Sequence, residues 1–153
     1  MELYFFRHGD AEEAGPGQSD YERRLTDAGV EETRRVAEAL RRAGIKPNRI
    51  VSTSLVRAQQ TAAILREVVG SDAPIEGSLS AGTQVGEIQR TMVGGGRRFF
   101  IVGHAPYMGQ IVGQLIAAPE VDLAKSGCAR VDTRRVEPGE GKLIWLITPE
   151  LFG

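Results

Sequence analysis

Three short segments of the chain place reactive side chains directly after apolar runs. Arg7-His8-Gly9 follows Leu3-Tyr4-Phe5-Phe6, Ser52-Thr53-Ser54 leads from Ile50-Val51 to Arg57, and Gly103-His104-Ala105 follows Phe99-Phe100-Ile101-Val102. His8 and His104 are the only two histidines among 153 residues. A neutral imidazole is a competent nucleophile near neutral pH, because its unperturbed pKa is about 6.5. Arginine forks donate paired hydrogen bonds to phosphate oxygens, and a helix N-terminus favours the same negative charge. The forks of Arg7 and Arg57, the nucleophilic imidazole of His8 and the second imidazole of His104 together suit phosphoryl transfer. Gly9 would let the backbone approach the bound group.

For these residues to meet, the elements that carry them must end at one edge. The four-residue run before His8 reads as a buried strand, and residues 49–52 as a second. A helix is expected from Thr26, a suitable N-cap, to Gly44, a suitable C′ residue, with Val30, Ala37 and Leu40 inward and Glu31, Arg34, Arg35 and Glu38 outward. Ser54 is the expected cap of a second helix reaching Val69, with Ala58, Ala62, Leu65 and Val69 as its buried stripe. Residues 74–79 read as a weak strand and 85–93 as a short helix that Gly94-Gly95-Gly96 ends. Residues 99–102 form the most apolar strand, followed by a helix over 106–117. Two strands, 129–136 and 143–147, flank the turn Pro138-Gly139-Glu140-Gly141.

Alternating strands and helices predict a three-layer α/β/α fold with a mostly parallel central sheet, closed by an antiparallel edge hairpin. In such a sheet ligands bind beyond the carboxyl ends of strands where the strand order reverses. That rule brings the three reactive segments together. Neither a repeat nor a linker divides the chain, so one domain over residues 1–153 is expected.

Composition narrows the function further. The formal net charge is −1, so no global field gathers nucleic acid or an anionic membrane surface, and any affinity for phosphate must be local. Cys128 is the only cysteine, which rules out an intramolecular disulfide and a Cys-rich zinc site, and reads as a packed small residue. No His or carboxylate pair has zincin-like spacing, and two arginines would repel a cation, so neither metal nor cofactor is expected. The N-terminus lacks a signal-peptide pattern, and a cytoplasmic location is the expectation.

Tyr4-Phe5-Phe6-Arg7-His8-Gly9 resembles the opening motif of the histidine phosphatase superfamily, the phosphoglycerate-mutase-like proteins. Ser52-Thr53-Ser54-Leu55-Val56-Arg57-Ala58-Gln59-Gln60-Thr61-Ala62 is similar to its second motif and Val102-Gly103-His104 to its third. Leu25-Thr26-Asp27-Ala28-Gly29 matches the usual opening of its first helix. Residues 143–151 resemble the ending of the SixA-type phosphohistidine phosphatases, so the likeness runs through nearly the whole chain in order. The resemblance implies a phosphohistidine intermediate on His8, phosphate contacts from Arg7 and Arg57, and transition-state support from His104.

Many members of that superfamily carry an acidic proton donor in an insertion between the second and third motifs. Here Glu76 and Glu87 lie in that span, neither in a recognisable donor motif, and Asp10 and Asp20 are further candidates among which the sequence does not choose. A phosphomonoester departs as an alkoxide whose conjugate acid has a pKa near that of water, about 15.7. A phosphohistidine departs as an imidazole of pKa about 6.5. A site without an acid therefore suits phosphohistidine on a signalling protein, and a missing cap would open it to a protein surface. Two alternatives stay open: a phosphomonoesterase for small phosphorylated substrates, and a non-catalytic phosphoprotein-binding module.

Overall fold

The computed structural model describes residues 1–153. Its six strands are β1 (Glu2–Arg7), β2 (Arg49–Thr53), β3 (Ile75–Leu79), β4 (Arg98–Gly103), β5 (Cys128–Thr133) and β6 (Gly141–Ile147). They form a single sheet in the order β3-β2-β4-β1-β5-β6. Pairing is parallel from β3 through β1 and antiparallel for β5 and β6. The expected α/β architecture with an antiparallel edge is what the chain adopts.

Helices α1 (Asp27–Arg42) and α2 (Val56–Val69) cover one face. They pack Val36, Leu40, Ala62 and Leu65 on Tyr4, Phe6, Phe100 and Val102. Helices α3 (Val85–Thr91) and α4 (Tyr107–Leu115) cover the other, with Ile88, Met108 and Ile111 against Leu3, Phe5, Phe99 and Ile101. Because both faces of β1 and β4 are buried, their central positions, Leu3 to Phe6 and Phe99 to Val102, are continuously apolar rather than alternating. Removing one of these rings, Phe100 for example, would cost about 3–5 kcal/mol.

The chain leaves β1 towards the face of α1 and leaves β4 towards the face of α4. These neighbouring strands therefore flank the point where strand order reverses, the place where open α/β sheets bind their ligands.

Thr26 caps α1 as its sequence suggests, its hydroxyl accepting from Gly29 N at 3.0 Å. Gly44 sits in the left-handed region at φ 72°, as a C′ residue should. Ser54 does not cap α2. Leu55 occupies that position and no side chain caps the helix, because the chain turns one residue later than the Ser-Thr-Ser pattern suggests. Strand β5 starts one residue early and stops at Thr133, whose hydroxyl donates to Glu140 O across the turn at 3.1 Å. Arg134 and Arg135 thus lie exposed in the turn, not on a strand edge. Trp145 is half-buried against the α1–α2 face.

The opening of α1 is welded to the loop after β1. Asp10 O accepts from Thr26 N at 2.9 Å, and Asp10 Oδ2 accepts from Thr26 Oγ1 at 2.9 Å. A Cβ at Gly29 would stand 2.2 Å from Asp10 O, so only glycine lets the loop and the helix approach this closely. Gly29→Ala should cost about 1–3 kcal/mol through overpacking. Urea unfolding measures it, and an unchanged midpoint would show that the Asp10 loop yields freely.

Candidate active site

Arg7 is the last residue of β1 and lies opposite Gly103, the last residue of β4. His8 and His104 follow these two, and the ladder continues one step as His8 N donates to Gly103 O at 3.0 Å. The imidazoles end 5.0 Å apart between centroids, tilted by 56°. Arg57 is the second residue of α2, so its guanidinium enters from the next strand-to-helix turn. The four residues singled out in the sequence meet at one edge, and His8, Arg57 and His104 are buried there.

His8 Nδ1 lies 2.6 Å from the carbonyl oxygen of Gly9. A carbonyl only accepts, so Nδ1 carries the proton and Nε2 keeps its lone pair. Burial lowers the His8 pKa to about 4, with Arg57 and Arg7 pushing in the same direction and the Gly9 bond opposing them. His104 is lowered to about 4 by burial, then by His8 and Arg57. Both rings are therefore neutral at pH 7, the form in which His8 can attack an electrophile.

Thr53 Oγ1 lies 2.6 Å from His104 Nε2 and fixes the ring's orientation. When that hydroxyl donates, the proton of His104 sits on Nδ1. Arg7 Nε, Arg57 Nε and His104 Nδ1 are all buried with no partner in the protein. Buried donors are nearly always satisfied, and each unmet one costs roughly 1–3 kcal/mol. An anion with several acceptor oxygens meets that demand directly.

Gly9 is also tightly packed in the protein itself. Its amide already donates to Thr61 Oγ1 at 3.1 Å. A Cβ there would meet Gly29 O and Thr33 Oγ1, each at 2.9 Å. The glycine is needed for packing against α1. Thr61, one turn beyond Arg57, also donates to Arg57 O at 2.9 Å, linking the His8 loop to α2. Neither Thr61 nor the Thr53 bond was singled out from sequence, although both threonines lie within the second motif. Hydroxyl residues at strand and helix ends usually serve as local caps, and only the tertiary fold distinguishes these two.

Each candidate acid is held by a cationic or hydrogen-bonding partner. Asp10 is held below the usual carboxylate range by hydrogen bonds from Lys125 and Thr26. Asp20 is lowered by Arg23 and then Arg57. Burial raises Glu87, but the Ser80 N–H, the Thr83 and Ser80 hydroxyls and the Arg90 charge together outweigh it and the net shift is downward. Glu76 pairs with Arg49 at 2.9 Å towards the amino end of β3, away from the histidines. Cys128 is buried, and burial raises its thiol well above the ordinary value. No helix is long and apolar enough to cross a membrane.

The chain belongs to the histidine phosphatase superfamily (branch 1), whose profile matches residues 3–80 and so takes in Arg7, His8 and Arg57. An uncharacterized protein of Picosynechococcus sp. is 36% identical over 118 residues, covering 72% of this chain and 70% of its own. Among solved structures, the protein histidine phosphatase SixA complexed with tungstate superposes with a TM-score of 0.88 at 25% identity over 100% of both chains. The putative phosphohistidine phosphatase SixA from Agrobacterium tumefaciens gives a TM-score of 0.80 at 23% identity, over 97% of each chain, a likeness of fold.

The lowered basicity of both imidazoles can be checked directly, because the chain has only two. Their Cε1–H resonances should hold the neutral position down to about pH 5 and move near pH 4, and titration at an ordinary value of about 6.5 would refute the burial argument. The sign for stability follows. Between pH 6.5 and 4 the unfolded chain binds more protons than the folded one, so stability should fall as pH drops through that window.

Proposed function

We propose that this protein is a metal-independent phosphatase that forms a phosphohistidine on His8, and that its substrate is phosphohistidine on a signalling protein. The observation that carries the first part is that Arg7 Nε, Arg57 Nε and His104 Nδ1 are buried without partners at the edge where His8 is a neutral imidazole with a free Nε2, His104 Nδ1 being a donor when Thr53 donates to Nε2. His8 Nε2 attacks phosphorus in line, forming an N–P bond as the bond to the leaving group breaks. Arg7, Arg57 and His104 hold the equatorial oxygens as charge spreads over them. Water then cleaves the N–P bond, returning His8 and releasing inorganic phosphate. Tungstate, the ligand of the SixA structure, is a tetrahedral oxyanion of the kind this donor set suits.

Two features support the substrate class. Asp10, Asp20 and Glu87 are all held ionised, so none offers a proton to an alkoxide at neutral pH. None of the surface clefts takes in His8, Arg7, Arg57 or His104. Small-metabolite enzymes bury most of their ligand in a concave pocket, whereas a shallow site fits a side chain presented by another protein.

Rapid quench with a reactive aryl phosphate should trap acid-labile phosphate on His8. His8→Ala should lose more than about 95% of turnover, since an activated nucleophile has no substitute there. Arg57→Lys should fall at least about tenfold despite keeping its charge, because a charged hydrogen bond is worth roughly 1.5–3 kcal/mol and lysine lacks the planar fork. Near-normal activity in either variant overturns the assignment.

A leaving-group series tests the substrate class. Phosphohistidine and aryl phosphates should be cleaved far faster than alkyl phosphates, with kcat/KM falling steeply as the leaving group becomes more basic. A flat series would point to small phosphomonoesters and to an acid. Absence of turnover with every substrate, with phosphoprotein still bound, would point to a recognition module.

A further inference from the structure

Asp20 belongs to none of the phosphoryl-binding contacts assigned above, yet it occupies the residue most central to them. It lies on the 3-10 turn Asp20–Glu22, in the loop between β1 and α1. Arg57 Nη1 donates to Asp20 O at 2.8 Å and Arg57 Nη2 to Asp20 Oδ2 at 3.2 Å. The other carboxylate oxygen, Oδ1, accepts from Arg23 Nη1 at 3.0 Å. Asp20 thus lays two anionic oxygens across two guanidinium groups, the arrangement that a phosphoryl group's oxygens take on arginine forks.

The two sides of this contact differ in freedom. The Arg57 side chain is 9% exposed and that of Asp20 is 66% exposed. The arginine is held by its surroundings while the carboxylate stands in solvent, so the carboxylate is the partner that can leave. With Asp20 in place, its backbone carbonyl engages Nη1 and its carboxylate engages Nη2, while Arg57 Nε is buried without a partner. A phosphoryl dianion on the same fork would also stand against the Asp20 charge at contact distance, where like charges repel. Occupancy by one therefore works against occupancy by the other.

We propose that Asp20 is a latch that stands in for the phosphoryl group on Arg57: substrate displaces its carboxylate, and its return drives out inorganic phosphate. The inference rests on the reading of this edge as a phosphoryl-transfer site, and it makes Asp20 a positioning residue acting through Arg57. The latch discriminates between ligands. A phosphoryl group carried on a protein brings contacts beyond the phosphate that help it displace Asp20. Free phosphate brings none and is held weakly.

The test is calorimetric titration of inorganic phosphate, and separately of orthovanadate, into the wild type, Asp20→Asn and Asp20→Ala. Asparagine keeps the size and loses the charge. Both variants should bind each anion about tenfold more tightly, equivalent to about 1.4 kcal/mol. KM for an aryl phosphate should fall in parallel, and inhibition by product phosphate should strengthen. An anchor that merely braces Arg57 predicts the reverse, since its loss weakens anion binding. Thermal melts of both variants confirm that the exposed substitution leaves the fold intact. Binding by the wild type that the variants leave unchanged or weaken overturns the latch alone. No saturable binding to any of the three proteins overturns the phosphoryl-site reading together with the latch.

Discussion

The parallel pairing of β1 with β4 sets everything at the site, because Arg7 stands opposite Gly103 and the next residue on each strand is a histidine. A slip of one residue would turn Tyr4 and Phe6 away from α1 and α2 and send Leu3 and Phe5 to the wrong face. Large buried rings on both faces thus fix the register to the residue. The same register holds the two imidazoles at 5.0 Å. Core packing and the placement of reactive groups are one constraint here. The strand-order reversal sends α1 and α4 to opposite faces beyond these strand ends, and the β2–α2 turn supplies Arg57.

Buried imidazoles beside buried guanidinium groups raise the free energy of the site relative to an apolar one. Arg7 Nε, Arg57 Nε and His104 Nδ1 are left without protein acceptors, at a cost of roughly 1–3 kcal/mol for each. Positive charge also opposes protonation of the histidines, which keeps them neutral but adds no attraction between them. The surrounding packing offsets this cost. Thr53 orients His104, Thr61 ties the Gly9 amide to α2, and Asp10 fastens the loop to the start of α1. A site rigid and unsatisfied in this way is preorganised for an anion.

Much of this was legible in the sequence, and the limits follow from what each residue type reveals. His8, His104, Arg7 and Arg57 stand out because they terminate or follow apolar strands, where a polar residue needs a reason. The order of strands and helices predicts the sheet, and Thr26 and Gly44 mark the ends of α1. Ser54 misleads because three consecutive hydroxyl residues fit a cap in more than one register, and Leu55 takes the position. At Gly9 the sequence suggests ligand approach but does not reveal the close packing on α1 that also excludes a Cβ. The bonds of Thr53 to His104, Thr61 to Gly9 and Asp20 to Arg57 were not legible, although Asp20 stood among the candidate acids. Their partners lie 51, 52 and 37 residues away in sequence, and nothing local distinguishes them from solvated or capping residues.

On the proposed mechanism, the low basicity of His8 acts at both steps. A ring with a pKa near 4 is always free to attack at neutral pH, though it is a weaker nucleophile than an ordinary imidazole. Phosphorus bound to so weakly basic a nitrogen is correspondingly easier for water to displace, because the departing imidazole needs less help from a proton. Transfer from an ordinary substrate imidazole to His8 is then unfavourable in basicity, by the difference between about 6.5 and about 4. The phosphoryl contacts of Arg7 and Arg57 must cover that difference. They are suited to it, since the same two guanidinium groups contribute to lowering His8 in the free protein. A bound dianion neutralises part of their field, while the burial that chiefly lowers His8 remains.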